Sequence, residues 1–202
     1  MEKSKIKVEK IRKIEKLEYL NSFIIEYTGK DNAIRNWELV SRSKIDRLEN
    51  EIFNNKSYSD GVMIFACNRE RTKLVILKEF RVSAGKYLYT LPAGLVDNDE
   101  EIEVAAIREF KEESGLDIEI VSIEKERYTS VGIINEKVSV AYGYFSGTPS
   151  KEFQEASEDA EIEIIDRDRA INILKNEEIS MRTALLIENF FQINKFINNK
   201  TE

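Results

Sequence analysis

"GLVDNDEEIEVAAIREFKEESGLDI", residues 94–118, places nine acidic side chains in a segment that otherwise has the spacing of one amphipathic helix. The pattern predicts a helix from about Glu100 to Ser114, with Pro92 and Gly94 breaking the chain before it and Gly115 at the position that follows a helix C-terminus. Advancing about 100° per residue from Glu109, Glu113 falls near 40° and Glu112 near 300°, while Ile102, Ala106 and Phe110 spread over roughly 20–100°. Three carboxylates therefore share one face, and that face runs along the rim of the apolar stripe rather than opposite it. Like charges at i, i+4 oppose helix formation by about a few tenths of a kcal/mol, and by more when partly desolvated. A solvated acidic helix face is one reading of such a segment. The other is a set of hard oxygen ligands for Mg²⁺ or Mn²⁺ beside substrate phosphates, where a bound cation turns the repulsion into attraction.

Outward from this helix, "YLYTLPAGLV" (87–96) reads as a strand running into a loop, and "GVMIFAC" (61–67) with "KLVILKEF" (73–80) reads as a hairpin around "NRERT". Residues 17–42 read as two strands around the turn signal "TGKDN", followed by a polar stretch from Asn50 to Asp60. Downstream lie strands "DIEIVSIEKERYTS" and "EKVSVAYGYFSG", an acidic loop "TPSKEFQEASEDAE", a strand "IEIID", and helices over about 167–175 and 181–197. Strands and helices mix without strict alternation, which favours an α/β fold with a mixed sheet flanked by helices over a doubly wound parallel one. The expected organisation is a small N-terminal antiparallel β unit, residues 1–57, and a main domain, residues 58–202.

Composition removes several chemistries. The 202 residues carry no histidine and one cysteine, which excludes Ser-His-Asp and Cys-His catalysis, zinc–histidine sites and intramolecular disulfides. Cys67, inside an apolar run, reads as a core residue. Lys and Arg number 31 against 38 Asp and Glu, a net charge of −7, which argues against general affinity for nucleic acid. The basic start "MEKSKIKVEKIRKIEK" reads as a solvated strand or a frayed terminus, because Ile6, Val8, Ile11 and Ile14 keep no single period. No apolar run reaches membrane-span length and no signal-peptide core follows the basic start, so a cytoplasmic protein with no membrane partner is expected.

Gly94, five residues, Glu100, seven residues, then "REFKEESGL" (108–116) resembles the complete signature of the Nudix hydrolases. Seven fixed residue types, each at a frequency of roughly 7%, coincide by chance at a given position on the order of once in 10⁸. The resemblance implies a Nudix α/β/α sandwich with a mixed β-sheet and a metal-dependent hydrolase of a nucleoside diphosphate linked to another group. It implies Glu109, Glu112 and Glu113 as Mg²⁺ ligands, with Mn²⁺ as an alternative ion. Arg108 is implied as the partner that holds Glu112, and Gly94, Glu100 and Gly115 as the residues that shape the loops. The base that takes a proton from water is often a glutamate outside the signature. Aligning the loop before "IEIID" with relatives points to Glu158, with Glu155 and Glu161 behind it and Glu152 also in the loop.

The segments "WELVSR", "LKEFRVSAGKYLYTLPAGLVD" and "YTSVGIINEK" are similar to those of ADP-ribose and sugar-nucleotide pyrophosphatases, extending the resemblance over most of residues 20–195. That subgroup implies Arg81 near the phosphates, Glu136 in contact with substrate or metal, and an N-terminal unit that builds a homodimer. Trp37, Arg35 and Arg42 are candidates for contact with nucleobase or ribose, stacking on an aromatic ring being the physical rationale. "SVG", with Val131, departs from the "SPG" of ADP-ribose enzymes. The expected reaction is ADP-ribose to AMP and ribose 5-phosphate. The alternatives are a sugar nucleotide or another nucleoside diphosphate derivative as substrate, or a non-catalytic nucleotide-sensing regulator on the same fold.

Overall fold

A computed structural model describes residues 7–97, 99–154 and 159–194. In chain order the elements are β1 (Lys7–Lys16), β2 (Asn21–Thr28), β3 (Ile34–Ser41), α1 (Ile45–Phe53), β4 (Gly61–Cys67), β5 (Leu74–Arg81), β6 (Lys86–Thr90) and β7 (Ala93–Leu95). They continue with α2 (Ile102–Ser114), β8 (Asp117–Ser130), β9 (Ile134–Ser146), β10 (Ala160–Ile165), α3 (Arg167–Asn176) and α4 (Met181–Phe190). Two compact units divide the chain: Met1–Asp60 with Lys125–Ser139, and Gly61–Glu124 with Val140–Glu202.

In the first unit β1, β2 and β3 form an antiparallel meander, so the basic start is a paired strand over Lys7–Lys16. β9 joins β3 in parallel at Val40 and Ile134, which makes the pairing mixed. The sequence pattern predicts no helix at α1, only a polar stretch from Asn50 that overlaps its last turn. Its signal is the spacing of Ile45, Leu48 and Ile52, which close over Phe23 and Leu39. Beneath it lies an ionic cluster. Arg47 donates to Asp60 at 2.6 Å, Lys137 Nζ lies 3.7 Å from Glu51, and Asn135 donates to Glu51 at 2.9 Å. Burial pushes the Glu51 carboxyl up, against the pull of Lys137 and Arg47.

The second unit is built on β4, whose seven residues are all buried, as a strand covered on both faces requires. Val62, Ile64 and Ala66 face α2, packing with Ala105, Ala106, Phe110 and Leu116. Met63, Phe65 and Cys67 face the other way, toward Ala170 and Ile173 of α3 and Ile187 of α4. Cys67 is thus a core residue, as its setting predicts. β5 pairs antiparallel with β6 and β10, and β7 pairs with β4. Asp166 and Ser180 cap α3 and α4 by accepting from Arg169 N and Thr183 N. The last helix ends at Phe190, short of the expected residue 197; residues 195–202 lie outside the described residues.

A polar network ties β6, β10 and α3 together. Tyr89 donates to Glu163 at 2.7 Å and accepts from Arg169 at 2.6 Å, while Arg169 also reaches Glu163 at 3.0 Å and Glu177 at 2.7 Å. Burial raises the Glu163 pKa, but the hydrogen bonds from Arg169 and Tyr89 outweigh it and hold the carboxyl below its usual range. The Arg169 hydrogen bond lowers Glu177 as well. A depressed carboxylate contributes stability above its unfolded pKa and loses it as pH falls through the folded value. The stability advantage of the wild type over Glu163→Gln is therefore expected to be full at neutral pH and to shrink below about pH 5, read by denaturant unfolding across that range.

Candidate active site

The acidic helix folds as its pattern predicts, over Ile102–Ser114, and ends on Gly115 in the left-handed region at φ 70°. A side chain there would also collide with Ser150, whose N–H donates to the Ser114 carbonyl. The buried side of the helix is Ala105, Ala106, Phe110 and Ser114, with Arg108, Glu109, Glu112 and Glu113 at its edge.

Arg108 organises the cluster. Its Nε and Nη2 fork onto Glu100 at 3.0 and 2.9 Å, its Nη1 reaches Glu109 at 2.8 Å and Glu112 at 3.2 Å, and Nη2 also donates to the Leu95 carbonyl at 3.2 Å. These bonds match the five N–H groups of a guanidinium one for one. The Glu100 bonds raise the Arg108 pKa, and in return Arg108 holds the Glu100 carboxyl below its usual range. Glu100 also accepts from Asp97 N at 3.0 Å, closing the turn in which Asp99 takes φ 64°. It thereby joins the entry loop to the helix.

Each residue of β7 meets a side chain of α2. Ala93 N–H donates to Glu113 Oε2 at 2.9 Å, Gly94 lies where any Cβ would run into the Glu109 carboxylate, and the Leu95 carbonyl accepts from Arg108. The Glu112 side chain is 44% exposed against 14% for Glu109. Also in this unit, Arg81 is exposed at the end of β5 and pairs with Glu79 at 3.1 Å. Glu161 is exposed on β10 and Glu152 precedes it in the loop. Glu155 and Glu158 lie outside the described residues.

The remaining candidates belong to the first unit. Arg35 and Trp37 alternate along β3 and so share one face; Arg35 forks onto Asp31 at 2.7 Å and Trp37 stays 45% exposed. Arg42 Nε donates to Glu136 at 2.9 Å, and Glu136 accepts from Thr129 Oγ1 at 2.9 Å. The neighbours Asn135 and Lys137 turn instead to the ionic cluster around Glu51. Within "INEK", strand alternation thus separates Glu136 from the structural residues beside it.

A model of the NUDIX domain matches residues 57–185. The chain belongs to the Nudix family. A Nudix hydrolase of Caenorhabditis elegans is 49% identical over 59 residues, spanning 28% of this chain and 26% of that one, so the match covers about a quarter of that relative. The GDP-mannose pyrophosphatase of Enterobacter sp. (strain 638) is 26% identical over 182 residues, covering 86% of this chain and 90% of the relative. A solved structure described as an ADP compounds hydrolase shares the fold, with a TM-score of 0.68 at 16% identity over 92% of this chain and 93% of that one.

In this Nudix hydrolase the acceptors around Arg108 are all oxygens, three carboxylates and the Leu95 carbonyl, which fits a hard divalent cation. The Gly94 cradle fits it too, because a glycine there leaves room for the Glu109 carboxylate. Among the described residues no three acidic side chains are gathered closely enough to hold a metal between them. Arg108 draws Glu109 and Glu112 to itself and Ala93 draws Glu113 away.

Sequence reasoning missed Gln154. Its Nε2 donates to the Glu113 carbonyl at 2.9 Å and to the Ala160 carbonyl at 3.2 Å, tying the end of α2 to the start of β10. It also missed Tyr87, which donates to Asp159. Both act through tertiary contacts, which no local pattern shows.

Replacing Arg108 by lysine is expected to lower kcat by roughly 10- to 100-fold, because an ammonium offers no planar fork to hold Glu100 while reaching Glu109 and Glu112. Steady-state kinetics beside a thermal melt checks this, with activity falling far more than stability.

Proposed function

We propose that this Nudix hydrolase is a Mg²⁺-dependent pyrophosphohydrolase of nucleoside diphosphate sugars, releasing a nucleoside monophosphate and a sugar phosphate. The observation that carries the reading is the Arg108 hub, which orients Glu109 and Glu112 of one helix face together with Glu100 of the entry loop, while β7 holds Glu113 through Ala93 N–H, makes room for Glu109 at Gly94 and offers Arg108 the Leu95 carbonyl. Glu109, Glu112 and Glu113 would hold the ion. When bound, Mg²⁺ neutralises diphosphate oxygens and lowers the pKa of water.

The chain's own residues do the rest in this reading. Arg108 fixes the carboxylates in place, and Arg81 faces the substrate phosphates. A loop glutamate, Glu158 in the proposal, takes the proton as water oxygen bonds to phosphorus and the bridging P–O bond breaks, the electron pair leaving on the departing phosphate. Trp37, with Arg35 and Arg42, is proposed to contact base and ribose, and Glu136 to contact substrate. A cytoplasmic homodimer assembled through residues 1–57 completes the proposal.

Two substrates head the class. ADP-ribose is supported by the segments around Arg81 and Glu136. GDP-mannose is supported by the relative that matches nearly the whole chain and by Val131 standing where ADP-ribose enzymes have proline. The test incubates the purified chain with each compound, with and without Mg²⁺, and identifies both products. AMP with ribose 5-phosphate, or GMP with mannose 1-phosphate, is expected only with the ion present. Tight binding without turnover across nucleoside diphosphate derivatives would reject the enzyme and favour the nucleotide-sensing alternative.

A further inference from the structure

The second unit contains a cavity of about 340 Å³ that the reaction does not use. It opens on the sheet face that carries α3 and α4, since its walls come from Phe65 and Cys67 of β4 and Tyr142 of β9. The acidic helix packs on the opposite face, against Val62, Ile64 and Ala66. The walls are aromatic. Phe65 stands 5.4 Å from Tyr142 at a tilt and 5.3 Å from Phe190 edge to face. A volume near the lower end of ligand-pocket sizes, roughly 300–1,000 Å³, suits a small ligand, and the aromatic walls suit a flat ring.

Among the described residues one charged group reaches this space. Arg71 lines the cavity from the β4–β5 turn and donates to Tyr144 Oη at 3.2 Å. Among the described residues that hydrogen bond goes to a neutral phenol, whereas the charge of neighbouring Arg69 is answered by Glu119. Arg71 sits at φ 55°, a left-handed conformation costly for a long side chain. Among the described residues, three of the four other non-glycine residues with positive φ are Asn or Asp, which tolerate it. The turn is locked around Arg71 by Asn68, whose carbonyl accepts from Arg71 N at 2.9 Å and whose side chain accepts from Thr72 N at 2.9 Å and Lys73 N at 2.7 Å. The chain therefore holds a guanidinium, at a conformational cost, beside an aromatic-walled space. Aromatic walls with a cation at the edge are complementary to a ring that bears an anion.

We propose that this cavity is a second ligand site, selective for a small planar aromatic carboxylate whose ring lies among Phe65, Tyr142 and Phe190 and whose carboxylate forks onto Arg71. The site is independent of the proposed hydrolysis. It also contains its own reporter, because Cys67 lines the cavity and is the chain's one cysteine.

The probe is 1-naphthoate, and the readout is the rate at which a maleimide modifies Cys67 in the full chain. Naphthoate is expected to slow modification saturably. Arg71→Gln should weaken that protection about tenfold by removing a charge-assisted pair. The uncharged 1-naphthalenemethanol should protect wild type and Arg71→Gln equally. Ser122→Trp, which places an indole among the lining residues without touching the core, should abolish protection by naphthoate. Absence of saturable protection in the wild type overturns the proposal, as does equal naphthoate affinity in wild type and Arg71→Gln. Calorimetric titration of both proteins gives the same comparison if labelling is too slow, since burial pushes the Cys67 thiol up.

Discussion

Glu112→Gln and Glu113→Gln are each expected to lower kcat by a factor on the order of 10²–10³, the scale of losing one electrostatic group at a reacting centre. Glutamine keeps the size of the side chain and removes only the charge. Its amide oxygen can still accept from Ala93 N–H, so Glu113→Gln preserves the contact that the wild type makes at 2.9 Å. Neither side chain belongs to the buried stripe of Ala105, Ala106, Phe110 and Ser114. The fold should therefore hold, and relief of acidic repulsion should leave thermal stability unchanged or slightly higher. Kinetics at saturating Mg²⁺ beside thermal melts separates charge from structure. Turnover near wild-type level in both variants, whatever the substrate, would remove these glutamates from the metal site.

Phe110→Ala is the largest expected loss of stability. The ring is fully buried within a cluster that includes Val62, Ile64, Ala106 and Leu116. Deleting such a side chain typically costs about 3–5 kcal/mol through lost transfer energy and the cavity left behind. That is a large part of the roughly 5–15 kcal/mol that holds an ordinary domain together. Phe110 lies beside Glu109, so loosening it frees the helix edge that carries the acids. Urea unfolding should show the loss, and Phe110→Leu should cost much less because most of the volume remains. A cost below about 1 kcal/mol for the alanine variant would mean that the helix is anchored elsewhere.

The helix and its stop were legible because short-range rules decide them: a 3.6-residue period and a glycine after the last turn. The i, i+4 spacing likewise made Arg108 and Glu112 legible as neighbours. What Arg108 does beyond that was not, since its bonds to Glu100 and to the Leu95 carbonyl depend on where β7 runs. The β4 and β5 strands announced themselves as apolar runs. The helix α1 did not, because apolar residues occupy only one narrow stripe among Asn, Glu and Arg. Nor does any local signal in β8 and β9 show that Lys125–Ser139 belong with the first unit. Strand propensity is the same on either side of that change of partners. Gln154 was invisible for a related reason, as an amide becomes a tie only when two carbonyls from distant segments come within reach.

The three residues of β7 use almost nothing of their side-chain identities. Ala93 offers an N–H, Gly94 offers absence and Leu95 offers a carbonyl, each matched to a different group of the helix behind it. Such a segment is read by length rather than by spelling. Exchanges at Leu95, and at Ala93 for any residue but proline, leave the backbone groups in place, whereas one inserted or deleted residue between Pro92 and Val96 puts them out of step with the helix. Variation along this stretch is therefore constrained less by which amino acids occupy it than by their number.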